Sequence, residues 1–132
     1  MTKINEQINY WEKSAERNLK TALSLFKTKH YDACLFFCHL TLEKLLKGLV
    51  VKQIKKAAPY IHDLERLTLL IKLSFTKDQI ENIKIISEFS LAGRYDDEKF
   101  AFYKKCTKKY TEKYLNISKE LYLWLKEQYQ KK

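Results

Sequence analysis

The chain has few of the residues that the turns of a β-sheet protein require. Only two of its 132 residues are glycine and only one is proline, whereas β-hairpins depend on glycine and on Asn-Gly or Asp-Gly pairs. The residues that dominate instead, leucine, lysine, glutamate and alanine, favour helix. The composition therefore predicts an all-α protein, and the length suits a single domain over residues 1–132.

Long apolar runs and an even set of cysteines are also missing. No segment approaches the roughly 20 apolar residues that cross a bilayer, and the amino-terminal residues lack the apolar run of a secretory signal. The three cysteines, Cys34, Cys38 and Cys106, are an odd number that does not suit a disulfide framework. We therefore expect a cytoplasmic protein without membrane contact, whose cysteines are small buried side chains.

A metal site and a cofactor are not predicted. Cys34, Cys38 and His39 match a C-x3-C-H spacing, but a structural zinc centre needs four ligands. His39 also projects about 100° away from Cys38 around a helix. The sequence contains no phosphate-binding P-loop, no G-x-S-x-G, no H-E-x-x-H and no glycine-rich dinucleotide loop.

Positive charge is the most unusual feature of the composition. The 26 basic and 16 acidic residues give a net charge of +10. Only three of the basic residues are arginine, namely Arg17, Arg66 and Arg94. Such a charge could attract nucleic acid, because each neutralised phosphate releases counterions and strengthens binding. It could equally be a solvated lysine surface, and the sequence leaves both interpretations open.

Apolar residues at three- and four-residue steps predict an up-and-down bundle of about five helices. The predicted helices span residues 5–28, 30–54, 62–73, 77–91 and about 97–128, and either Thr76 or Asp78 is expected to cap the fourth. The second helix is apolar almost all round, since one stripe runs through Leu42 and Leu45 and another through Leu46 and Val50. We expect it at the centre, covered by its own chain on one side and by a second subunit on the other.

Two short motifs and their order give a family resemblance. Leu42–Gly48 reads L-E-K-L-L-K-G, and His62–Leu64 follows fourteen residues after its glycine. Together with Trp11 in the first helix and Arg94–Tyr95 near the fourth, these segments resemble the HEPN domain over about residues 10–125. The resemblance implies a helical bundle, a homodimer and a nucleotide or RNA ligand. It also implies a separate minimal nucleotidyltransferase as partner, in a nucleotide-binding or toxin–antitoxin pair.

Two lysines in the first motif are candidate ligands for phosphate. Lys44 and Lys47 lie one turn apart on a helix, where two ammonium groups could hold one anion. The alternative is a solvated ion pair between Glu43 and Lys47, which have the favourable i to i+4 order.

Three further candidates lie at predicted helix ends. Arg94 is a potential bidentate phosphate donor and Tyr95 offers a ring for stacking, although the arginine could instead pair with Asp96 or Asp97. His62 could bind a nucleotide or transfer a proton near neutral pH. The alternative is that His62 and Asp63 only cap the third helix.

Catalysis is not predicted. The ribonuclease branch of the HEPN family uses an R-x4-6-H motif, and no arginine precedes His30, His39 or His62 at that spacing. We therefore interpret the chain as a non-catalytic module. Two alternatives remain: a ribonuclease toxin with an unconventional site of His62, Arg66 and Arg94, and a purely structural helical adaptor.

Overall fold

The computed structural model describes residues 3–90 and 96–131 of the chain. These residues contain no strand, and their six helices are α1 (Lys3–Lys27), α2 (Tyr31–Ile54), α3 (Leu64–Leu69), α4 (Lys77–Glu88), α5 (Asp96–Lys105) and α6 (Lys108–Gln130). The predicted all-α bundle is confirmed. Six helices stand where about five were expected, because the last predicted helix is divided into two.

In the part of the chain that the structure describes, no helix is both long and apolar enough to span a membrane.

The second helix is the centre of the bundle and packs mainly against α1 and α6. Residues of both predicted stripes are buried completely, including Leu42 and Leu45 on one and Leu46 and Val50 on the other. The chain's own helices cover the first stripe and most of the second, on which only Phe36, 39% exposed, reaches the surface. One partly exposed side chain is weak support for a second subunit on α2, so the expected homodimer needs another argument.

Close approach of three helices depends on Gly48. A Cβ atom at this position would lie 2.0 Å from Tyr129 Oη and 2.9 Å from Trp11 Cβ. The Tyr129 hydroxyl donates a hydrogen bond to the Leu45 carbonyl across 2.7 Å. Glycine is thus required where α1 and α6 both meet α2.

The third helix is shorter than the predicted range of 62–73. It begins after Asp63 and ends at Leu69. The helix does not continue, because the backbone N–H of Lys72 bonds to the side chain of Gln53 at 2.7 Å instead of to a carbonyl of α3. The predicted cap of α4 is confirmed, since Thr76 forms a reciprocal capping box with Gln79.

The last predicted helix is interrupted at residues 106 and 107. Thr107 has an extended backbone, and its side chain accepts a hydrogen bond from the Tyr110 N–H at 3.1 Å, so it begins a new helix. The interruption changes which residues face the core. Cys106 and Tyr114 are buried, but Tyr103, which falls on the same apolar stripe if the helix is continued through residue 106, is 62% exposed.

Candidate functional site

A buried carboxylate links the two predicted motifs. Glu43 on α2 is only 5% exposed. Its Oε2 atom accepts hydrogen bonds from Lys47 Nζ at 2.7 Å and from His62 Nδ1 at 3.0 Å. The interpretation of Glu43 and Lys47 as a solvated pair is wrong, because both partners lie inside the bundle. Opposite charges buried in this way must remain paired.

His39 lies one turn before Glu43 and completes this cluster. Its Nε2 lies 3.1 Å from the His62 carbonyl oxygen and must donate, because a carbonyl only accepts. Its Nδ1 lies 3.7 Å from Glu43 Oε1 and has no hydrogen-bond partner. Burial lowers the pKa of the imidazole. From sequence, His39 was considered only as a metal ligand and as the histidine of an R-x4-6-H motif, although its i to i+4 spacing to Glu43 was a usable signal.

The loop that carries His62 is fixed by the start of α3. Asp63 Oδ1 accepts hydrogen bonds from the N–H groups of Glu65 and Arg66, so the predicted capping is confirmed. The N–H of Leu64 donates to Ser87 Oγ on α4 at 2.9 Å. These bonds position the His62 imidazole, of which 65% is exposed, against Glu43.

A first cleft lies beside Lys47, and we call it the Lys47 cleft. It has a volume of about 550 Å³ and is lined by α1, Lys47 and the loop before α3. Tyr10 and Tyr60, which line it, are 54% and 99% exposed. Trp11 also lines it, and the Lys47 ammonium lies over the Trp11 ring, 5.6 Å from the ring centroid, in a cation–π contact.

Lys44 approaches the same tryptophan from the neighbouring turn of α2. Its ammonium lies 5.9 Å from the centroid of the Trp11 ring and donates a hydrogen bond to Ser14 Oγ at 2.8 Å. The two predicted lysines therefore converge on one indole. Lys47 is in turn joined to His62 through Glu43, so three of the five predicted residues belong to one connected group.

A second cleft contains the exposed side of His62, and we call it the His62 cleft. Its volume is about 620 Å³. Its charged lining, besides the histidine, consists of Asp63, Glu65, Glu88 and Lys84. Since Lys84 already pairs with Glu65 at 3.4 Å, this side of the cluster is acidic.

Arg94 and Tyr95, the remaining predicted residues, lie outside the described ranges 3–90 and 96–131. Their roles stay predictions.

The cysteines are free thiols and buried, as predicted. Burial raises the pKa of Cys106 to about 12, which suits an unreactive core thiol. Within residues 3–90 and 96–131, no group of three or more His, Cys, Asp or Glu side chains is arranged to hold a metal ion.

The family model of the HEPN domain matches residues 8–128. This chain belongs to the HEPN domain family. The resemblance of the two motifs is thereby confirmed, and the linked Glu43, Lys47 and His62 lie within the matched region.

Two solved structures share the fold. TT1696 from Thermus thermophilus has a TM-score of 0.80 at 20% identity, with 92% of this chain and 97% of that chain covered. ST0689, described as an archaeal HEPN homologue, has a TM-score of 0.71 at 21% identity, with 92% and 96% covered. None of the curated proteins matches this chain.

Proposed function

We propose that this chain is a non-catalytic HEPN module that binds the phosphate of a nucleotide or RNA, dimerises, and acts with a separate minimal nucleotidyltransferase in a toxin–antitoxin-like pair. The observation that carries phosphate binding is the convergence of Lys44 and Lys47 on Trp11. The Lys44 ammonium at the edge of this cleft would supply charge for a phosphate, and the exposed tyrosines of the cleft would supply rings for a base.

The two lysines have different parts in this proposal. Each ammonium has three protons to donate. Lys47 is 6% exposed and its charge is already paired with Glu43, so its part is to hold Trp11 at the cleft. Lys44 is less buried and has no ion pair among the described residues; it does not line the cleft but reaches Trp11, which does, so it is the proposed contact for the phosphate. Arg94 and Tyr95, the two sequence candidates that precede α5, are proposed to contribute to the same site.

Fluorescence of Trp11 tests phosphate binding directly. In a Trp124→Phe background Trp11 is the only indole, and titration with ATP should change its emission. Lys44→Gln and Arg94→Ala should each weaken binding by about 1 to 3 kcal/mol, the range for a lost charged hydrogen bond. Lys119→Gln, an exposed lysine of α6 outside this cleft, is the control. Equal losses in all three variants would reject the site.

Dimerisation is proposed to use α5. Phe100 and Tyr103 on this helix are 59% and 62% exposed, and a second copy would remove these apolar surfaces from water. Light scattering should report twice the chain mass, and Phe100→Ser with Tyr103→Ser should shift it toward one chain mass. A monomeric wild type at micromolar concentration would reject the dimer.

The nucleotidyltransferase partner is supported by family membership alone. If a reading frame beside this one encodes such an enzyme, the two proteins should co-purify after co-expression. Failure to form a complex would leave the chain as a helical adaptor or a solitary binding module.

One observation favours the second candidate, a ribonuclease. A carboxylate only accepts, so His62 Nδ1 must donate to Glu43. The other ring nitrogen, Nε2, belongs to a ring that is 65% exposed. A carboxylate that orients an exposed imidazole is a general-base arrangement. Cleavage of mixed-sequence single-stranded RNA that disappears in His62→Ala would replace the non-catalytic proposal, whereas the proposal expects no cleavage.

A further inference from the structure

A large open groove lies at the carboxyl end of α2, where the carboxyl ends of α2 and α6 meet the segment 70–74. Its volume is about 1520 Å³, larger than the roughly 300 to 1,000 Å³ of most small-molecule sites. Its lining shares no residue with the Lys47 cleft or the His62 cleft. We call it the carboxyl-end groove.

All charged side chains that line the groove are positive: they are Lys52, Lys55, Lys72 and Lys131. Lys55, Lys72 and Lys131 are exposed, and within the described ranges none of these three forms an ion pair. Four ammonium groups therefore share one concave surface without a carboxylate among its lining residues.

Neutralising the ends of α2 and α6 does not account for this much charge. Each helix carboxyl end is equivalent to roughly half a negative charge, so two ends supply about one. Lys52 already interacts with the carboxyl end of α6, because its ammonium donates a hydrogen bond to the Tyr129 carbonyl. The other three lysines leave a clear positive excess that an anion would balance.

The groove also has an organised apolar floor. Leu49 and Ile71 are buried beneath it, and Trp124 lines it with its ring held edge-on against Phe75 at 5.3 Å. Gln53 bonds both the N–H and the carbonyl of Lys72. The backbone that carries one of the rim lysines is thus fixed in place.

We propose that the carboxyl-end groove binds the phosphodiester backbone of single-stranded nucleic acid, with Trp124 as the surface against which a base stacks. A basic groove with an aromatic side chain in its lining is the usual means of binding single strands without sequence preference. The proposal is independent of the Lys47 cleft.

Paired variants of equal charge test the groove. The groove variant is Lys55→Asn with Lys72→Gln, and the control is Lys109→Gln with Lys119→Gln, two exposed α6 lysines that do not line it. Each double variant removes two positive charges. Lys55 has φ 61°, a conformation that asparagine tolerates well, so the groove variant should stay folded. Circular dichroism confirms this before binding is measured.

Anisotropy with a labelled mixed-sequence 12-mer, about as long as one such site, should show at least a tenfold weaker affinity for the groove variant and less than a twofold change for the control. The log–log salt slope should also fall by about 0.7 for each lysine lost. Comparing RNA with DNA 12-mers shows which part of the nucleic acid the groove contacts. A site that contacts only the phosphodiester backbone binds both, whereas a contact with the 2′-hydroxyl favours RNA. Equal losses in the two variants would overturn the proposal.

The two tryptophans separate this site from the proposed nucleotide site. In Trp11→Phe, the 12-mer should quench the remaining Trp124, while ATP acts on Trp11 in the Trp124→Phe background. Unchanged Trp124 emission at saturating 12-mer would overturn the groove assignment. Displacement of the 12-mer by polyglutamate as readily as by unlabelled 12-mer would also overturn it, in favour of an acidic polypeptide ligand.

Discussion

Two lysines eight positions apart, Lys47 within α2 and Lys55 at its C-cap, have opposite environments. Lys47 is 6% exposed and bonded to Glu43 at 2.7 Å, whereas Lys55 is exposed in a groove whose lining has no acidic residue. Both count equally in a net charge of +10. The comparison teaches that the partner of each lysine, more than the total charge, decides whether it stabilises the fold or is available to a ligand.

The largest expected effect is on the buried pair. Glu43→Gln leaves the Lys47 ammonium without a counter-charge and should lower the free energy of unfolding by about 3 to 5 kcal/mol. Urea unfolding followed by circular dichroism measures this. Lys72→Gln in the groove is the contrast and should change it by less than about 0.5 kcal/mol. A loss below about 1 kcal/mol for Glu43→Gln would contradict the assigned role of the pair.

Adding Lys47→Met to Glu43→Gln removes the uncompensated charge as well. The double variant should recover much of the lost stability, since apolar replacements of buried pairs are often neutral.

A pH effect should be confined to the buried cluster. Burial lowers the pKa of His39, so the unfolded chain binds its proton more tightly than the folded one does. Stability is then complete above the ordinary pKa of about 6.5 and falls as the pH decreases, by up to about 1.4 kcal/mol per pH unit. His39→Gln should flatten this dependence. His30→Gln, at an exposed histidine, should leave it unchanged, and equal slopes in both variants would contradict the assignment.

The smallest expected effect is at the rim of the groove. Lys55→Asn should leave the free energy of unfolding unchanged or raise it by a few tenths of a kcal/mol, because Lys55 occupies the left-handed position after α2. Thermal and urea unfolding measure the difference. A loss above about 1 kcal/mol would mean that this lysine serves the fold, and the contrast between Lys47 and Lys55 would disappear.

Most of the fold was predictable because helical periodicity and caps are local signals. The bounds of α2 and the Thr76 cap agree closely with the structure. The break at Thr107 was missed because Tyr103, Cys106 and Tyr110 continue one apolar period across it. The end of α3 was not predictable, since it depends on Gln53, nineteen residues before Lys72.

The candidate site was predictable only as separate motifs. The spacing of Glu43 and Lys47 indicated an ion pair, but burial decides its character, and burial depends on α1 and the loop before α3. The contact from His62 to Glu43 joins residues 19 apart in sequence. The carboxyl-end groove combines three distant segments, so no local pattern indicated it.

Gly48 sets how α1 and α6 pack against α2 in the bundle. Trp11 on α1 and Tyr129 on α6 both pack against it, so any larger side chain at this position would push both helices away from α2. The same contact fixes the Lys47 cleft, through Trp11, and one wall of the carboxyl-end groove, through Tyr129, in a constant spatial relation. A ligand long enough to contact both sites would therefore have to span a fixed distance between them.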